Sequence, residues 1–385
     1  MFLLKLIIRN VFRHKLRTFL TILSITIAIL AFGLLRTFVS AWYAGVQASS
    51  ASRLVTRNSI SLIFTLPLSY KDKIHQIEGV KQVSWGTWFG GIYIDEKNFF
   101  ANFAVDPKTY LELYPEFILS PEQKETFLRD RKSFVAGRKL AERFKWRPGD
   151  TVTLKGTIFP GNWEFVLRGI YRGRDETVDE TQFFFHWEYL NETVKKTAPL
   201  RADQVGWYMV GITQPDRATA VALAIDKTFK NSLAETLTET EKAFQLSFIS
   251  MSEAIIVAIQ LVSIVIIVII IAVAANTMSM TARERIGEYA VFKTLGYRGW
   301  RITNMILGES MAIALIGGIF GMALTFPIAR AFGKILGAFF PIFKVPDEIF
   351  LMDLAAVILV GLSAAVFPTW RASRIRIAEG LRRIG

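Results

Sequence analysis

The residues able to do chemistry gather in one short stretch and do not form a catalytic set. Residues 283–296 read Arg-Glu-Arg-Ile-Gly-Glu-Tyr-Ala-Val-Phe-Lys-Thr-Leu-Gly. A helix there places Glu284 and Glu288 on one face, four residues apart, with Ile286, Ala290 and Lys293 on others and Gly296 as its stop. Such a helix offers charge to a partner. Glu309 stands alone in an apolar run, where a carboxylate is costly; it marks function or pairing, or it snorkels to the interface. The three histidines, His14, His75 and His186, are far apart, and there is no cysteine. Disulfides, thiol catalysis and cysteine-based zinc sites are thereby excluded, and no metal ligands are assigned. No carboxylate is spaced with a His, Ser or second metal ligand as an enzyme embedded in the membrane would need, so no catalytic residue is assigned. No G-x-x-x-x-G-K-[ST] loop is present, so any ATPase is expected on a separate chain.

The elements that must position these residues are four apolar runs. Thr18–Leu35 carries no charge; Ala254–Ala275 is interrupted chiefly by Gln260 and Ser263; Met305–Ala329 contains Glu309; Leu354–Phe367 reaches span length if it begins near Phe350. A bilayer core of about 30 Å needs roughly 20 helical residues. The expected fold is therefore an α-helical membrane protein with four transmembrane helices and an α+β extracytoplasmic domain with a β-rich insertion between the first and second spans. The spans are expected at 17–39, 251–276, 303–329 and 350–368. The first run is too long for a typical cleaved signal peptide, and no clear cleavage site follows it.

The chain carries a net charge of +13, yet residues 40–250 hold 27 Lys and Arg against 25 Asp and Glu. The excess flanks the apolar runs, a pattern of membrane orientation and not of nucleic-acid binding. Arg and Lys concentrate before the first run, at 277–302 and after the fourth run, whereas 330–349 holds only Arg330, Lys334 and Lys344. Both termini and the 277–302 loop are thus expected in the cytoplasm, with 40–250 and 330–349 outside a cytoplasmic (inner) membrane. Residues 1–16 read as an interfacial helix, with Lys5, Arg9, Arg13 and Arg17 as a basic stripe and Leu4, Ile7, Ile8, Val11 and Phe12 opposite; a plain basic flank is the alternative.

In the outer domain, strands are predicted at Ser59–Phe64, Lys81–Trp88, Gly91–Ile94 and Phe99–Val105, with a helix at Tyr70–Glu78. A β-rich insertion is expected over about 120–200: strand and helix in Phe134–Phe144, then strands at Thr151–Lys155, Trp163–Tyr171 and Gln182–Phe185. Val205–Thr213 and a helix after Pro215 return to the first unit. The aromatics Trp85, Trp88, Phe89, Trp163, Phe183–Phe185 and Trp187 suit a sheet core or a lipid groove. From Asp216 to Ile286 there is no Gly or Pro. Glu235–Thr238 reads as a short strand, and Thr238-x-x-Glu241 as a capping box opening a helix to about Ser279. Such a helix would be roughly 60 Å long, twice the bilayer core, with a stalk at about 240–250 able to transmit force.

Three segments resemble the MacB/FtsX-type permeases of ABC transporters. Glu284, Arg285, Glu288, Lys293, Leu295 and Gly296 match the family loop E-R-T-R-E-I-G-x-L-R-A-L-G, with Gly287 and Ala290 departing from it. Pro368-Thr-Trp370-Arg371-Ala-Ser-Arg374 followed by Glu379-Gly-Leu-Arg resembles the terminal P-A-W-R-A-A-R…E-A-L-R, with Arg376-Ile377 replacing Asp-Pro. Glu309 with Gly317-Gly318-x-x-Gly321 is the third; Gly317-x-x-x-Gly321 permits close packing between chains or within one. The resemblance implies paired permeases, as homodimer or with a close homologue, each binding an ABC ATPase through a coupling helix at about 282–296. ATP and Mg would be held by that ATPase. It further implies work at the outer face: export or extraction of a lipid, lipoprotein, drug or peptide, with a periplasmic adaptor and outer-membrane channel as further partners. The alternative is an FtsX-like signaller that activates a cell-wall hydrolase.

Overall fold

The computed structural model describes residues 9–337, 340 and 342–373. These divide into two compact units, one of 9–41 with 252–335 and 343–373, the other of 42–251 with 336, 337, 340 and 342.

The first unit is helical. Among the described residues, four helices are long and apolar enough to cross a membrane: Lys15–Ala48, Glu253–Glu284, a third running from Gly299 and a fourth from Asp347. Each outruns its expected span because the polar flanks continue the helix beyond the apolar stretch that hydropathy detects. Glycines set the close packing. A Cβ on Gly317 would stand 2.9 Å from the Ile22 carbonyl oxygen, and one on Gly321 2.9 Å from that of Thr26. The Thr26 hydroxyl donates to the Gly317 carbonyl at 3.0 Å. The Gly317/Gly321 face therefore packs on the first span of its own chain. Gly318 packs on Val357 of the fourth span.

The second unit is built on one mixed sheet. Its strands are β1 (Arg53–Asn58), β2 (Leu66–Pro67), β3 (Val80–Trp88), β4 (Gly91–Ile92), β5 (Asn102–Val105), β6 (Phe117–Ile118), β7 (Ser133–Gly137), β8 (Thr151–Gly156), β9 (Gly161–Gly173), β10 (Phe183–His186), β11 (Gln204–Val205), β12 (Trp207–Ile212) and β13 (Thr236–Thr240). The order is β13-β1-β12-β3-β5-β10-β7-β9-β8-β4; β6 joins β9, and β2 with β11 forms a separate pair. The 120–200 stretch continues the same sheet. Phe183–His186 pairs in parallel with Asn102–Val105, making one continuous sheet. The stretch also carries the helices Pro121–Arg129, Arg138–Phe144 and Trp187–Thr197.

Alternation on β10 explains the join. Phe183 and Phe185 enter one core with Phe89, Trp163 and Trp187, while Phe184 enters the opposite core with Tyr110, Tyr114 and Tyr171. The aromatic set thus fills both faces of the sheet; Trp88, 36% exposed, is the exception.

Two expected elements differ. Ser59–Phe64 is a loop: the Asn58 side chain accepts from the Ile60 amide at 3.0 Å and turns the chain, and Ile60 and Ile63 are exposed. The 40-residue rod is also interrupted. Its cap is Thr240, whose hydroxyl accepts from the Ala243 amide at 3.1 Å. Thr238 is unavailable because its hydroxyl bonds Thr56 on the neighbouring strand and Asp226 on the helix Ala218–Thr228. The helix Glu241–Ser250 then stops, and Glu253–Glu284 begins after a turn at Met251 and Ser252. The Ser247 and Ser250 hydroxyls donate to the carbonyls three residues back, at 2.7 Å each, which competes with continued helix.

The point where the chain enters and leaves the sheet is held by a buried charge cluster. Arg53 donates to Glu241 at 2.8 Å, to Glu116 at 2.7 Å and to the Leu113 carbonyl at 3.0 Å, and lies 4.2 Å from the Tyr114 ring centre. Glu241 also accepts from the Ser50 amide and the Tyr114 hydroxyl.

His186 closes β10 beneath Phe127, whose carbonyl accepts from its Nε2 at 2.7 Å. Burial lowers its pKa from the ordinary 6.5, more than the Phe127 bond raises it. The unfolded chain therefore binds the proton more readily, and stability falls as pH drops below about 6.5 towards the folded value. We expect thermal melts of the second unit's tryptophan signal to lose this acid dependence in His186→Gln. An unchanged pH profile would refute the assignment.

Candidate functional site

The second long helix ends at Glu284, and a nine-residue helix, Ile286–Thr294, follows after a bend at Arg285. The short helix closes as its sequence requires. Gly296, at φ +85°, donates to the Lys293 carbonyl at 3.1 Å, and Tyr297 donates to Phe292 at 2.9 Å. This is a Schellman cap, completed by contact of the Phe292 and Tyr297 rings, 5.5 Å between centres.

The charges are spent differently from a free docking face. Arg285 is buried, and its Nη1 donates to both oxygens of Glu309 at 2.6 and 2.9 Å, while its Nε donates to Glu288 at 3.0 Å. Glu309 accepts a further bond from Asn10 at 2.8 Å. It is paired and does not snorkel. Glu288 also accepts from Arg13. Glu284 accepts two bonds from Arg17, each 2.8 Å, with His14 at 3.5 Å. Burial raises the Glu288 carboxyl, but the bonds from Arg13 and Arg285 hold it below the ordinary carboxylate range.

The basic residues expected to line a lipid-facing stripe thus act partly as partners of this helix. The Arg9–Val11 turn of helix is broken at Phe12–His14 before Lys15, which leaves Arg13 and Arg17 facing Glu288 and Glu284. Lys5, Leu4, Ile7 and Ile8 lie outside the described residues. The pattern of basic residues every four positions could not reveal these pairs, since their acidic partners are more than 260 residues away.

Large apolar side chains are exposed at the end of the short helix, in the turn after it and at the start of the third long helix. Val291 is 40% exposed, Leu295 71% and Trp300 59%. Arg301 lies against Trp300 and Tyr297, at 5.8 and 5.5 Å from their ring centres. Val291 and Trp300 were not singled out by the sequence. Lys293 sits part-buried on the same helix, and its main chain serves the cap. Pro368, Trp370 and Arg371 lie in the last turns of the fourth helix, where Pro368 and Arg371 line a crevice with Ser279, Arg283 and Ile286. Arg374 and Glu379 fall outside the described residues. Gly317 and Gly321 are remote from the charge network, on the packed face of the first span.

Comparison with known proteins meets this geometry. The FtsX-like permease C-terminal family matches residues 260–377. An uncharacterized ABC transporter permease of Methanocaldococcus jannaschii is 23% identical, over 97% of this chain and 96% of the relative. Among solved structures, the periplasmic region of MacB from Actinobacillus actinomycetemcomitans is 10% identical with a TM-score of 0.39, covering 53% of this chain and 95% of that one. The extracellular domain of the noncanonic ABC-type transporter YknZ from Gram-positive bacteria is 11% identical with a TM-score of 0.35, covering 49% and 100%. The family match spans the helices that carry the Arg285–Glu309 network, and the relative from Methanocaldococcus jannaschii spans nearly the whole chain: residues 260–377 match an FtsX-like permease C-terminal domain, and the chain is similar along its length to an ABC transporter permease.

Proposed function

We propose that the chain couples ATP hydrolysis on a separate ABC ATPase to movement of the domain between its first two spans. The observation that supports this most is the Ile286–Thr294 helix. It presents Val291 outward, beside Leu295 of the turn that follows and Trp300 at the start of the third long helix, while its base is fixed by Arg285 to Glu309 of the third span. A rigid base and an apolar lip are what a docking lever needs: the lip supplies desolvated contact, and the base passes displacement to the spans. Glu284 and Glu288 then act chiefly as struts to Arg17 and Arg13, carrying displacement to the first helix. That helix is unbroken from Lys15 to Ala48, whereas the second route turns at Met251 and Ser252. The first helix is thus the stiffer transmitter.

In this reading the short helix and both termini face the cytoplasm, the sheet domain lies outside the inner membrane, and two permease copies act together. ATP and Mg bind the partner ATPase. The outer domain serves export or extraction of a lipid, lipoprotein, drug or peptide. The FtsX-like signalling role is the second reading; the large outer domain, 42–251, favours the first.

The test is co-purification with the ATPase. Leu295→Asp with Trp300→Asp should reduce ATPase capture at least tenfold while leaving the permease folded. Glu288→Arg should act mainly by loosening the Arg13 contact, with a lower melting temperature. Full capture by the Leu295/Trp300 double variant would overturn the docking assignment.

A further inference from the structure

An open cleft of about 590 Å³ lies between the first and second long helices. One mouth is basic, with His14, Lys15 and Arg17; its walls are Leu16, Leu20 and Val273, with Thr21, Ser24 and Thr277 between them. Arg17 is committed to Glu284 and His14 lies beside the same carboxylate. Lys15 is exposed and makes no ion pair among the described residues. The hydroxyls of Thr21, Ser24 and Thr277 donate to carbonyls four residues back, at 2.8, 2.8 and 3.0 Å, so their oxygens line the wall without competing for a donor.

We propose that this cleft is a binding site for an anionic phospholipid. Its phosphate would pair with Lys15 and one acyl chain would lie along Leu20 and Val273. Charge and depth argue together. From Lys15 to Ser24 the helix rises about 13 Å, which carries the cleft from headgroup level well into a hydrocarbon core of about 30 Å. A soluble anion would use only the mouth, and a second permease copy would meet an unpaired lysine with no acidic residue on the cleft wall to receive it. A basic pocket between spans whose far end is apolar suits a lipid headgroup with its chain attached. The site adjoins Arg17 and His14, the partners of Glu284, so an occupying lipid would stiffen the same strut. This last consequence rests on the coupling proposal; the binding does not.

The test uses the full chain in nanodiscs of phosphatidylcholine alone or with phosphatidylglycerol. After release into detergent, native mass spectrometry should show phosphatidylglycerol retained in preference to phosphatidylcholine. Lys15→Glu and Thr277→Trp, one reversing the charge and one filling the cleft, should each reduce retention about tenfold, and Lys15→Arg should restore it. Inorganic phosphate should not compete. Equal retention of both lipids, or undiminished retention in Lys15→Glu and Thr277→Trp, would overturn the proposal. The chain has no cysteine, so Ser24→Cys can be oxidised alone. Quantitative disulfide between two copies in the phosphatidylglycerol nanodiscs would also overturn it, by showing that a second copy fills the cleft. Loss of ATPase coupling with lipid retention intact would count against the coupling reading only.

Discussion

Glu309→Leu should be among the most damaging single changes in the membrane unit. It leaves the Arg285 guanidinium buried with Glu288 as its remaining carboxylate and strips Asn10 of its acceptor. Breaking a buried, hydrogen-bonded ion pair from one side costs about 3–5 kcal/mol, because the surviving charge stays desolvated. Arg285→Leu should cost a similar amount, with Glu309 then held by Asn10 alone. The double change Arg285→Leu/Glu309→Leu should be less harmful than either single one, since no charge remains stranded. Melting of the purified permease measures the first effect. ATPase stimulation by the reconstituted complex measures the second, and the two should separate in the double variant: stability recovers, coupling does not. A packed apolar pair fills the space but no longer ties the short helix to the third span by direction-specific bonds. If Glu309→Leu alone melts like the wild type, the pair is not the fixed base described above.

Glu241→Ala should have an effect of comparable size in the sheet unit. Glu241 accepts from Arg53, the Ser50 amide and Tyr114, so its loss leaves a buried cation with Glu116 alone and two polar groups with no acceptor. Burial by itself would lower the Arg53 pKa, yet Glu116, Tyr114 and Glu241 together hold it above the ordinary value. The expected destabilisation is about 3–5 kcal/mol. Because Ser50 follows the first long helix and Glu241 opens the helix leading to the second span, loss of the cluster should loosen the two ends of the domain before its centre. Hydrogen exchange on the full chain should show protection falling at 50–58 and 236–241, with Phe183–Phe185 on the central strand little changed. Glu241→Gln, which keeps the shape and an acceptor, should fall between. Uniform loss of protection across the sheet would show that the cluster supports the whole fold and not the junction.

The two predictions mark where local pattern stops and tertiary contact begins. Four spans were legible because about 20 consecutive apolar residues have few stable fates other than crossing a bilayer. The stop at Gly296 was legible because a left-handed residue there favours glycine, whereas the contact of Phe292 with Tyr297 that completes the cap came from the structure. The strands of the outer domain were mostly legible from period-two alternation, and β10 shows the rule at its clearest, with Phe184 turned opposite to Phe183 and Phe185.

What the sequence by itself determined is therefore the class of the molecule, the spans, the short helix after the second one and the family resemblance carried by 284–296. The tertiary structure alone decided what the charges do. Glu284 and Glu288 stand on one face of any helix, but only the fold places Arg17 and Arg13 beside them. Only the fold turns Arg285 inward to Glu309, and only the fold joins 120–200 to the strands before it. The reason is physical: hydrophobic burial writes itself into short windows as a period, whereas an ion pair depends on two side chains that meet only in the fold, 24 residues apart for Arg285 with Glu309 and 275 for Arg13 with Glu288, and neither one carries a mark of the other.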